Sequence, residues 1–119
     1  MKKILLIDDE LVVYALKRYL ERKEFEVITL NTGKEVLEKI KETNPDIVIT
    51  DIIMPDVEGM AVITEVRSLY KQLPIIVISG GSKYIDNSFL TTAVMLGANA
   101  SLEKPFKEDE LLELINSLI

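Results

Sequence analysis

Three short runs of unbroken apolar residues constrain this chain more than any other feature: Ile4-Leu5-Leu6-Ile7, Ile47-Val48-Ile49 and Ile75-Ile76-Val77-Ile78. Each is bounded by polar residues or turn signals and lacks the apolar–polar alternation of a strand with one wet face. Strands buried on both faces belong in a parallel sheet covered by helices above and below. Right-handed crossovers then give a doubly wound α/β sheet.

The intervening segments have helical period. Leu11 to Arg22 carries Leu16 and Leu20 at i, i+4 spacing, and Phe25 to Leu30 reads as a second, more polar strand near a sheet edge. Thr32 and Glu35 have the spacing of a capping box, opening a helix with Val36, Leu37 and Ile40 on one side and ending at Asn44-Pro45. A third helix is expected over Gly59 to Tyr70, with Val62, Ile63, Val66 and Leu69 as its buried stripe. A fourth is expected over Tyr84 to Leu96, closed by Gly97. A short strand at Ala100 to Leu102 and a last helix over Glu108 to Leu118 complete five β-α units. The apolar arc of that last helix leaves two readings open: core alone, or core plus a partner or weak-homodimer surface shared with the fourth helix.

Composition removes several classes of chemistry. The 119 residues fit one compact domain, with no further domain expected, and 48% hydrophobic content supports a core without disulfides. There is no cysteine and no histidine, which excludes thiol nucleophiles, Ser-His-Asp triads and His/Cys zinc sites. Any bound metal must sit among oxygens, as magnesium, manganese or calcium does. A net charge of −6 disfavours nucleic acid as a partner. No apolar run approaches the ~20 residues of a membrane span, and the opening run is too brief for a signal peptide. A soluble cytoplasmic protein is the expectation.

In doubly wound sheets ligands bind beyond the carboxyl ends of the strands. Strand one here ends in Asp8-Asp9-Glu10, strand three in Asp51 and strand four in Ser79-Gly80-Gly81, while strand five leads into Lys104-Pro105. One polar strand end means only that strands meet water. Carboxylates, a hydroxyl and a lysine on one rim point to a site. Clustered carboxylates raise one another's pKa and call for a cation, and Mg²⁺ takes one or two carboxylates together with phosphate oxygens. Asp51, at the end of the central strand, is the candidate nucleophile toward phosphorus. Ser79 and the amide of Gly80 are candidate donors to phosphoryl oxygens, and Lys104 a countercharge. Asp8 has the alternative role of capping the first helix, and Ser79 that of a turn residue.

In this order, Asp8-Asp9, the block Asp51, Met54, Pro55 and Gly59, Ser79 with Gly80, and Lys104-Pro105-Phe106 resemble the receiver domains of two-component response regulators. The resemblance runs over essentially the whole chain. It implies a flavodoxin-like five-stranded parallel sheet of order 2-1-3-4-5. It implies that Asp51 takes a phosphoryl group from a sensor histidine kinase or histidine phosphotransfer protein, and that the domain then signals to a downstream protein target. Asp9 and Asp51 would bind Mg²⁺ directly, Asp8 through water and Ile53 through its carbonyl. Ser79 would move toward the phosphoryl group, and Lys104-Pro105 would be cis.

Three departures from the family pattern stand out. Ser101 occupies the place, three residues before the lysine, where receivers commonly carry an aromatic switch residue. The stretch from Ser79 to Gly97 is a few residues longer than usual, and Glu24 stands where a glycine usually follows the first helix. The absent aromatic motivates an alternative, a receiver-like interaction module independent of phosphate. An aspartyl-phosphate hydrolase of the haloacid dehalogenase type is disfavoured, because its second aspartate would fall at Ile53. Gly80-Gly81-Ser82-Lys83 lacks the spacing of a P-loop, which argues against ATP binding.

Overall fold

A computed structural model of the chain describes residues 1–51, 59–80, 93, 94 and 96–119. Five strands, β1 (Lys3–Ile7), β2 (Glu26–Leu30), β3 (Ile47–Asp51), β4 (Ile75–Gly80) and β5 (Ala100–Lys104), form one parallel sheet of order β2-β1-β3-β4-β5. Four helices are placed among the described residues: α1 (Glu10–Arg22), α2 (Val36–Thr43), α3 (Gly59–Leu69) and α4 (Glu108–Leu118). This is the flavodoxin-like arrangement. Of the helix expected over 84–96, only 93, 94 and 96 are described, and these have helical backbone.

Strand parity divides the core in two. Leu5, Ile7, Val48, Ile75 and Val77 meet α2 and α3 through Val36, Ile40, Val62, Ile63 and Val66. Ile4, Leu6, Ile47, Ile49, Ile76 and Ile78 face the other way, toward Val13, Leu16 and Leu20 of α1 and Leu111 and Ile115 of α4. The unbroken apolar runs therefore reflect burial on both faces, each such side chain contributing ~1.5–3 kcal/mol. Leu112, Leu114 and Leu118 pack at the margin of the second core, which accounts for most of the wide apolar arc of α4.

Local signals set the helix ends. The Asp9 carboxylate caps α1, and Arg22 stands in its last turn, both favourable to the helix dipole. Asn44 closes α2 in the left-handed region (φ 50°), its amide donating to Ile40 O at 2.8 Å. Two expectations are corrected. The Thr32/Glu35 capping box does not form: α2 starts at Val36, Glu35 makes no side-chain cap, and Thr32 Oγ1 accepts from Lys34 N at 3.3 Å within a turn. Leu69 is not in the buried stripe. It is 65% exposed, because it ends α3 off the sheet-facing side, and Tyr70 packs against the core there instead.

At the amino-terminal rim of the strands, Arg67 forms a knot. Its guanidinium donates to Gly97 O (2.9 Å), Tyr70 O (2.8 Å) and Asn99 Oδ1 (2.9 Å), and Asn99 Oδ1 also accepts from Ile75 N at 2.9 Å. Gly97 has φ 137°, and a Cβ there would stand 2.8 Å from Arg67 Cγ, so only glycine lets the chain pass this close.

Glu24, after α1, has φ 70°. A side chain in the left-handed region costs ~1 kcal/mol or more, and glycine escapes that cost but gives up more chain entropy on folding. Glu24→Gly should therefore stabilise the domain by about 0.5–1 kcal/mol, read as a higher urea midpoint at unchanged m-value.

Candidate functional site

The parallel register brings the carboxyl ends of four strands to one rim: Ile7 pairs with Thr50, Asp51 with Ile78, and Gly80 with Lys104. Asp8, one residue beyond β1, has a fully buried side chain, and that of Asp51 at the end of β3 is 14% exposed. Ser79 on β4 is buried, and Lys104 reaches in from the end of β5.

Lys104 Nζ lies 2.6 Å from Asp8 Oδ2 and 3.5 Å from Asp51 Oδ2, so one ammonium holds two carboxylates together. The other Asp8 oxygen accepts from the backbone of Asp9 at 2.6 Å. Asp9 itself turns the other way: it is exposed, and its Oδ1 accepts from Val12 N at 3.0 Å. Asp9, and not Asp8, is thus the cap of α1. Thr50, buried and not singled out from sequence, donates from Oγ1 to the carbonyl of Asp51 at 2.9 Å. Its position in central β3, directly before Asp51, was the available signal. Ile53 lies outside the described residues. The Lys104-Pro105 peptide is cis.

Burial pushes the Asp8 carboxyl up to about 6, with the Asp51 charge adding to the rise; Lys104 and the Asp9 amide oppose it. Ser79 Oγ is buried without a hydrogen-bond partner among the described residues. A buried hydroxyl left so is costly unless a ligand supplies its partner. Among the described residues no three acidic side chains are gathered as a ready metal cage. The donor chemistry nevertheless fits a hard cation: it is all oxygen, and Mg²⁺ needs only one or two carboxylates with water and phosphate completing its shell. Beside this rim, Leu11, Val12 and Ala15 of α1 and Pro105 and Phe106 line an apolar groove of about 420 Å³.

The raised Asp8 pKa has a stability consequence. Between the unfolded value of 3.8 and about 6, the native state holds the extra proton, so stability falls as pH rises through this window. Asp8→Asn removes the buried charge while Lys104 keeps Asp51 as a partner. Without added divalent cation it should be more stable than the parent by roughly 1–3 kcal/mol at pH 7.5, converging with it near pH 4. Urea unfolding at the two pH values measures this.

Residues 4–116 match the family model of the response regulator receiver domain. The chemotaxis protein CheY of Bacillus subtilis is 33% identical over 119 residues, covering 98% of this chain and 97% of CheY. The alkaline phosphatase synthesis transcriptional regulatory protein PhoP of the same organism is 30% identical over 119 residues, covering 99% of this chain and 48% of PhoP. The chain thus spans about half the length of PhoP and nearly all of CheY. Among solved structures, a response regulator receiver domain protein from Clostridium thermocellum superposes with a TM-score of 0.90 at 31% identity, covering 100% of this chain and 94% of that one. The chemotaxis response regulator CheY4 of Vibrio cholerae gives 0.87 at 27% identity, covering 100% and 99%. With fold, rim and sequence in agreement, this chain belongs to the receiver domains of two-component response regulators, a family of signalling switches whose general function depends on phosphorylation.

Proposed function

We propose that Asp51 is the phosphoacceptor of this receiver. The observation that carries the reading is Lys104 straddling Asp8 and Asp51 on a rim that also holds the buried Ser79 hydroxyl, unpartnered among the described residues. An Asp51 carboxylate oxygen attacks the phosphorus of a phosphohistidine on a sensor histidine kinase or phosphotransfer protein. The new O–P bond forms as the P–N bond breaks, and the imidazole leaves. Lys104 offsets negative charge on the incoming phosphoryl oxygens, and Ser79 Oγ donates to one of them. Asp8, Asp9, Asp51 and the carbonyl of Ile53 would hold Mg²⁺. When bound, that ion neutralises the carboxylates and the phosphoryl oxygens they must approach. The modified domain then signals through altered contacts with a downstream protein.

Ser101 supports a second reading. It lies half-buried on β5, paired with Val77, and puts a small hydroxyl where a rotating aromatic would otherwise relay the change. A module acting by contact alone would tolerate that loss.

Incubation with acetyl phosphate and Mg²⁺ should add the mass of one phosphate, and Asp51→Asn should abolish the gain. No mass increase in protein shown to bind Mg²⁺ would refute the phosphoacceptor role and favour the contact-only module.

A further inference from the structure

We propose that Asp9 serves two competing partners, the amide of Val12 and the cation of the rim, so that loading the cation uncaps the first turn of α1. The inference rests on the magnesium reading above and concerns how that site is regulated. Both oxygens of Asp8 are already engaged, one by the Asp9 amide and one by Lys104. Asp9 is the remaining acidic side chain of the pair, yet its carboxylate is directed at the helix start, 3.0 Å from Val12 N. Among the described residues no three acidic groups share a metal-holding arrangement. Bringing that carboxylate to an ion shared with Asp51 would cost the bond from Val12, its described contact at the helix start.

The cap reports on more than itself. Val12 is the third residue of α1 and lines the apolar groove with Leu11, Ala15 and Phe106, and Leu11 is 84% exposed. Cation entry therefore loosens the turn that carries one wall of that groove. Coupling of this kind is reciprocal: whatever holds the capped turn weakens the cation, and whatever removes the cap strengthens it. A side-chain cap has a typical worth of about fivefold in an equilibrium constant.

The test is an Mg²⁺ titration of the whole ¹⁵N-labelled chain, with the Asp51 amide reporting ion binding and the water-exchange rate of the Val12 amide reporting the cap. Val12 exchange should accelerate about fivefold or more, in step with the Asp51 response. In Asp9→Ser, which can cap but offers no carboxylate, Val12 exchange should stay slow across the titration. Val12→Pro, which has no N–H to offer to Asp9, should bind Mg²⁺ about fivefold more tightly, with circular dichroism confirming that the domain still folds. Binding at Asp51 with unchanged Val12 exchange overturns the competition while leaving the magnesium site intact. No response at Asp51 in the parent protein refutes the magnesium reading itself, and this inference with it.

Discussion

A carboxylate buried at the end of β1 is the constraint around which the carboxyl rim is organised. Asp8 is held there by Lys104 from the far edge of the sheet and by the amide of its own neighbour, and its pKa still rises to about 6. The desolvation cost exceeds what its partners return. That imbalance connects fold to function. An apolar residue at this position would suit the core better, and the arrangement fits a ligand that gains from a concentrated negative charge. The Ser79 hydroxyl on the same rim, buried and without a partner among the described residues, is a second local cost of the same kind.

Much of the fold was legible because the apolar runs of β1, β3 and β4 record two-sided burial directly. The strand order was not contained in those runs; it followed from the family resemblance. The edge strand β5 was read short, because Glu103 and Lys104 look like loop residues, although both pair with β4 in the sheet. Leu69 was misplaced for a related reason: periodicity assigns a stripe to a helix but does not say where the helix runs off the sheet. The capping box at Thr32 and Glu35 is a local motif, and the turn at Thr32 to Lys34 took the Thr32 hydroxyl first.

At the rim, residue types and their strand-end positions were sufficient to nominate Asp8, Asp51, Ser79 and Lys104. The division of labour between Asp8 and Asp9 was not readable. Two adjacent aspartates look alike in a sequence, and only the backbone's turn from β1 into α1 decides which one is buried and which one caps. Thr50 was hidden by its surroundings, a polar residue in an apolar strand whose hydroxyl is spent on the carbonyl of Asp51.

The Arg67 knot at the opposite rim gives the domain a chemical asymmetry. Its guanidinium is anchored to backbone carbonyls and an amide oxygen, and none of its described partners is a carboxylate. Partners without net charge do not titrate, and bonds to them are screened by salt far less than an exposed ion pair is. Acid therefore acts on the Asp8 carboxylate at one rim, while the described joint between the far ends of α3, β4 and β5 offers it no carboxylate to protonate. One end of the sheet thus carries contacts that depend on protons, and the other carries contacts to groups without net charge.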